Sequence, residues 1–178
     1  MSNDPVAVED FGTMWKFIIQ QKSTLVCFKE GSDDMIGVNL NLVSSKNDHF
    51  LEEINKQNQS VNSKLLIDIL GLMYKDFDTY EHYDVDEYLT SFGLVVDRKY
   101  RDRRIGEQFL RSRKPFCEAF GIKLTSTIFT SNFSNKIADN VGFKLDRVLS
   151  YADIRNDYPE FNLPPINSDL LTLKTLVF

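Results

Sequence analysis

The sequence predicts an α/β protein: a mixed, mostly antiparallel central sheet in a single layer, with helices on both faces. Three patterns carry that expectation. Apolar residues recur at helical spacing in Val8, Phe11, Trp15, Ile18 and Ile19, and again in Leu65, Leu66, Ile69, Leu70, Met73 and Phe77. A hairpin is written between them, with strands over 24–30 and 35–43 joined by Gly31-Ser32-Asp33-Asp34. A strand, a basic loop and a helix start then follow one another from Ser91 to Gly106.

Taken in order, Asp4 caps a first helix that has Pro5 at its first position. In the second hairpin strand Val38, Leu40 and Leu42 share one face, and Asn39 and Asn41 the other. Residues 44–63 are polar and read as a long, partly helical connection, followed by a helix over 64–77. Phe92, Leu94, Val95 and Val96 read as a buried strand, after which the pattern turns helical from Arg103. Pro115 is expected to kink that helix and Gly121 to end it. A strand over 123–130, a short helix over 131–141 stopped by Gly142, and closing strands over 145–154 and 170–178 complete the order. Val148, Tyr151 and Ile154 are the expected buried residues of the first closing strand, and Tyr158-Pro159 with Leu163-Pro164-Pro165 enforce a loop before the second.

At 178 residues, 42% hydrophobic and 26% charged, the chain reads as one domain over 1–178 with an ordinary core. Its net charge of −5 argues against a nucleic-acid partner. No apolar run reaches membrane-spanning length and no signal peptide is visible. Cys27 and Cys117 read as free thiols of a reducing compartment, which makes the expectation cytoplasmic. Two cysteines and two histidines without ligand spacing predict no metal site.

The chemistry concentrates at the central corner. A helix N-terminus offers free N–H groups and partial positive charge, Gly106 leaves backbone uncovered, and Arg101, Arg103 and Arg104 carry forks that suit phosphate oxygens. The same residues also fit a plain strand-to-helix turn with a solvated basic face. The stretch 76–87 is acidic and aromatic; it reads either as a solvated segment or as one wall of a pocket for an aromatic cation, with His82 as a candidate base.

Val96 to Gly106 resembles the acetyl-CoA signature of the GCN5-related N-acetyltransferases, Arg101 and Gly106 matching and Arg104 standing where a first glycine is usual. Residues 109–117, 121–130 and 138–143, with the tail from Tyr151 through Glu160, are similar to the insect arylalkylamine N-acetyltransferases, so the resemblance covers most of the chain. It implies the acyl-CoA N-acyltransferase fold and direct acetyl transfer from acetyl-CoA to an arylalkylamine or related small amine. It also implies that Leu94, Val95, Val96, Arg101, Asp102, Arg103, Arg104, Ile105, Gly106, Glu107 and Lys136 hold the cofactor.

Many enzymes of that fold protonate the leaving thiolate with a tyrosine four residues before the Gly-Phe pair; Ala138 stands there, so the resemblance shifts catalysis to Thr130 and Ser134. Ser131 or Ser134 also suits a plain helix cap. Relatives begin with a strand, a helix and a Glu-Pro that supplies the base. Asp4-Pro5 reads as a later Asp-Pro, so those elements are expected to be missing, Asp4 being a poor stand-in and a homo-oligomer a way to cover the edge. A CoA-binding module with impaired catalysis, and an acetyltransferase of a protein amine, are the alternatives.

Overall fold

The structure, a computed structural model, describes residues 4–178. Helix α1 spans Pro5–Gln20; the Asp4 carboxylate accepts from the Ala7 N–H at 3.1 Å, as the Asp-Pro start requires. Strands β1 (Leu25–Phe28) and β2 (Met35–Ser45) form the expected hairpin. The polar connection is more ordered than its composition suggests, with α2 over Phe50–Gln57 and α3 over Val61–Gly71, the second capped by Ser60. A short α4 (Thr79–Tyr83) precedes β3 (Glu87–Val96), which is longer than the apolar run alone indicates. Helix α5 (Ile105–Phe120) runs through Pro115 without a break, and Gly121 caps it in the left-handed region at φ +72°. Then come β4 (Leu124–Phe129), α6 (Asn132–Val141), β5 (Lys144–Ser150), α7 (Tyr151–Asp157) and β6 (Leu170–Val177).

Two expectations are corrected. The first closing strand stops at Ser150, whose hydroxyl accepts from Asp153 N at 2.9 Å and starts α7. Tyr151 and Ile154 are buried, but on a helix, and Val148 on β5 is 45% exposed. Their spacing of three residues suits a helix rather than the two-residue period of a strand. On α1 the buried face is Ala7, Met14 and Ile18, whereas Val8, Trp15 and Ile19 are exposed. The helix is therefore turned so that Met14 and Ile18 meet β2 and part of its apolar stripe is left for a cavity.

The sheet has the order β1-β2-β3-β4-β6-β5, and β3–β4 is its parallel pair. The predicted alternation in β2 decides which helices lie on which face. Leu40 and Leu42, with Val38 beside them, pack with Met14, Ile18, Phe50, Ile54 and Ile67 of α1, α2 and α3. Asn39 turns to the opposite face and meets α5, where Arg113 Nε donates to its Oδ1 at 3.1 Å. Leu110 of α5, Ala138 of α6, Phe129 and Phe143 make the core of that second face. Leu171 and Leu173 of β6 join Ile69, Met73, Tyr151 and Ile154 on the first.

Candidate active site at the fork between β3 and β4

The strands of the parallel pair are in register at one place. Leu89 pairs with Thr125, and beyond that point the register between β3 and β4 ends although both strands continue. A bulge helps to part them. Asn39 faces Leu94 and Asn41 faces Ser91, so Phe92 and Gly93 of β3 together oppose Leu40 alone, which bends β3. Asn39, fully buried, fastens the bulge by donating to Ser91 Oγ at 2.7 Å and Gly93 O at 2.9 Å. The segment read from sequence as a buried strand is therefore half-open: Val95 is 59% exposed and Leu94 and Val96 are half-buried.

A cavity of about 1470 Å³ follows the fork. That exceeds the ~300–1,000 Å³ typical of a site for one small ligand and leaves room for two side by side. Leu94, Val95, Val96, Arg101, Asp102, Arg104, Ile105, Gly106, Glu107, Thr130, Ser134 and Lys136 all line it. Arg103 does not; its guanidinium lies over the Tyr100 ring at 5.2 Å.

At one end of the cavity stands the N-terminus of α5. The first bond within the helix runs from Gln108 N to Arg104 O, so the N–H groups of Ile105, Gly106 and Glu107 have no partner further back in the helix. Arg104, at φ +58°, occupies the left-handed conformation that glycine adopts without cost, and Asp102 does so at φ +63°. Arg101 Nε reaches back to Val96 O at 3.3 Å. Glu107 is tied to Arg111 at 2.9 Å, which leaves its backbone N–H as the group it can offer an anion. Gly106 lines the cavity, and its lack of a side chain has a packing consequence as well: a Cβ there would sit 3.2 Å from Ile137 Cδ1 and 3.7 Å from Leu94 Cδ2. Glycine lets α5 approach α6 and β3 closely.

Where β4 ends, Thr130 is exposed to the cavity, and among the described residues its hydroxyl makes no hydrogen bond; its carbonyl accepts from Tyr151 Oη at 3.2 Å. Ser131 and Ser134 form a reciprocal cap at the start of α6. Ser134 N donates to Ser131 Oγ at 3.1 Å, Ser131 N donates to Ser134 Oγ at 3.2 Å, and the two hydroxyls are 2.9 Å apart. Ser134 thus lines the cavity and caps the helix at once.

The opposite wall was only partly legible. Of the acidic-aromatic stretch, Phe77, Asp78, Thr79 and Tyr80 line the cavity, and Asp78 spends its carboxylate on Tyr80 N and Glu81 N. His82 lies outside, packed between Phe77, tilted against it at 5.0 Å, and Tyr83, edge-on at 4.7 Å. Asp48, His49 and Glu52, from the connection that composition made look like a linker, line the cavity instead and are exposed. Val8, Phe11 and Trp15 of α1, with Phe92 and Phe133, add apolar lining to the same cavity. Tyr74, Tyr80 and Tyr88 line it too; burial raises all three phenols, that of Tyr74 to about 12, so they are neutral donors at physiological pH. Asp4 is far from the task considered for it. Hydrogen bonds from Ser60, Asn62 and Ala7 lower its carboxyl to about 2, and it does not line the cavity.

Among the described residues, no three His, Cys, Asp or Glu side chains are grouped to hold a metal ion, and no helix is long and apolar enough to cross a membrane.

No protein-family model matches the chain, and no curated protein sequence does. Solved structures do. A protein named arylalkylamine N-acetyltransferase 7, from the yellow fever mosquito Aedes aegypti, is 36% identical over 98% of this chain and 72% of its own, with a TM-score of 0.90. A mosquito arylalkylamine N-acetyltransferase like 5b shares the fold at 20% identity, covering 95% of this chain and 81% of its own, TM-score 0.84. An agmatine N-acetyltransferase does so at 17% identity, covering 92% and 81%, TM-score 0.78. With that fold and the first of these likenesses, the chain belongs to the insect arylalkylamine N-acetyltransferase family, within the GCN5-related N-acetyltransferases.

Proposed function

We propose that this N-acetyltransferase transfers an acetyl group directly from acetyl-CoA to an arylalkylamine or related small amine, with both substrates bound together. The observation that carries the reading is the fork. Beyond the Leu89–Thr125 pair, β3 pairs with no strand on the β4 side among the described residues, and the cavity along the fork also takes in Ile105, Gly106 and Glu107 at the start of α5. An extended pantetheine arm fits such an edge as an added strand, and a pyrophosphate fits the helix terminus. Arg101, Arg104 and Lys136 add positive charge around it. The amine occupies the rest of the cavity, its ring against Phe11, Trp15 and Phe92 and its ammonium drawn by Asp48 and Glu52.

The reaction then needs three things. The ammonium gives one proton to solvent water, the carbonyl oxygen gathers charge as the nitrogen attacks, and the C–S bond breaks as the nitrogen sheds its second proton and the departing thiolate takes one up. Thr130 offers an uncommitted hydroxyl where β4 ends. Ser134 donates by turning its proton from Ser131 toward the cavity, and the Ser131 hydroxyl, 2.9 Å away, can then donate to Ser134 in turn. Ala138, fully buried, fills the place of the usual tyrosine.

One observation favours a second reading, a CoA-binding module with impaired turnover: both hydroxyls at the start of α6 are already engaged in capping it. Thiol release from acetyl-CoA with tryptamine, dopamine, tyramine and polyamines separates the two. Turnover with an amine supports the enzyme; a raised melting temperature with acetyl-CoA but no turnover supports the module; neither signal would overturn both.

A further inference from the structure

One charge at the fork has no task in the transfer just described. Arg113 of α5 is 1% exposed, on the inward face that also carries Phe109, Leu110 and Cys117, where an amphipathic helix ordinarily places an apolar residue. It makes three hydrogen bonds, all to neutral oxygens: Nε to Asn39 Oδ1 at 3.1 Å, and Nη1 to Thr125 Oγ1 at 3.2 Å and Thr127 Oγ1 at 2.7 Å. Nη2 makes none among the described residues, and Arg113 lines the cavity. Among the described residues no carboxylate pairs with it. Burial lowers the guanidinium to about 9, so it remains charged at neutral pH. The nearby Cys117 thiol is pushed up to about 12 by burial and stays neutral. A buried cation without a counterion is costly, and an anionic ligand would offset that cost.

The position narrows the ligand. Thr125 stands at the pairing point of β3 and β4, and Thr127 lies two residues further along β4, past the last register pair. The guanidinium that binds both therefore sits at the closed end of the fork, with Ser91 and Thr127 beside it in the cavity wall. In the acyl-CoA reading, on which this inference rests, that end receives the acyl chain. A bare methyl group gives Nη2 nothing to bond, whereas a carboxylate accepts it as a charge-assisted pair.

We propose that the closed end of the fork is a subsite for an acyl chain ending in a carboxylate, as in malonyl- or succinyl-CoA, alongside acetyl, and that Arg113 is the specificity-determining residue that holds it.

Calorimetric dissociation constants for free CoA and for acetyl-, butyryl-, malonyl- and succinyl-CoA test this without knowledge of the amine. The wild-type chain should bind malonyl- or succinyl-CoA about tenfold more tightly than uncharged butyryl-CoA, the factor expected of one charge-assisted bond. Arg113→Met should bring that ratio to about one while acetyl-CoA still binds, and Arg113→Lys should restore part of it. A purely structural Arg113 would lower affinity for every CoA species alike and leave the ratio unchanged. Equal affinities in the wild-type chain, or a preference that survives Arg113→Met, would overturn the inference and leave the acyl-CoA reading intact. If Arg113→Met does not fold, the wild-type ratio decides alone. Failure of free CoA and acetyl-CoA to bind would overturn the acyl-CoA reading, and this inference with it.

Discussion

Thr125 donates its hydroxyl to the Leu89 carbonyl oxygen at 2.8 Å, at the one place where β3 and β4 pair. The same oxygen of Thr125 accepts from Arg113 Nη1, so one fully buried hydroxyl closes the fork and anchors the cation behind it. Thr125→Val keeps the shape and leaves both partners short of a bond. The expected cost is about 2–3 kcal/mol in denaturant unfolding, because buried polar groups lose their partners. In an Arg113→Met background the cost should be smaller, since only the Leu89 carbonyl then loses a bond.

Arg104→Gly should stabilise the chain by about 1 kcal/mol, since the native left-handed conformation is strained for any side chain. Arg104→Ala keeps the strain and loses the charge, so it should weaken acetyl-CoA binding without that gain. Unfolding curves and calorimetry on the two variants separate backbone from charge.

Gly106→Ala should cost stability through the contact with Ile137, and Gly106→Val more. Gly106→Val combined with Ile137→Ala should recover much of the stability. If the double variant refolds and binds acetyl-CoA as well as the wild type, the glycine serves helix packing alone.

Ser131→Ala and Ser134→Ala remove the two halves of one cap. Loss of the cap costs about 1 kcal/mol in either case. Only Ser134→Ala should also lower kcat and kcat/KM together, by about tenfold to a thousandfold, if its hydroxyl serves the transition state. Equal turnover per folded molecule in both variants would mean that Ser134 only caps.

Asp4 gives a pH signature. Its carboxyl is held at about 2, below its ordinary 3.8, by hydrogen bonds that join α1 to the start of α3. A depressed carboxyl contributes stability that is fully present above its unfolded value and lost as pH falls through its folded value. Asp4→Ala should therefore lower the melting temperature at pH 6, and the difference should fade between about pH 4 and pH 2.

The architecture was legible where local rules act in concert. Val38, Leu40 and Leu42 against Asn39 and Asn41 fixed the faces of β2, and Asp4-Pro5, Ser131 and Gly142 marked helix ends that the structure shows. The missed elements depend on distant partners. Val148, Tyr151 and Ile154 looked like a strand until β6 and α3 were there to bury two of them on a helix. Asp48 and Glu52 reached the site because α2 folds under Phe50, which local polarity hid. The task of Arg113 is set by Asn39, 74 residues earlier, and by Thr125 and Thr127, so no reading of its own helix could supply it. Arg103 shows the reverse: it belongs to the basic cluster in sequence, and the Tyr100 ring withdraws it from the cavity.

Hydrogen–deuterium exchange with and without saturating acetyl-CoA tests most directly whether the fork is the cofactor site. Acetyl-CoA should slow exchange only in residues 91–96 of β3 and at the amides of Ile105, Gly106 and Glu107, with α2 and α7 unchanged. Binding by calorimetry accompanied by unchanged exchange in those two segments would contradict that placement.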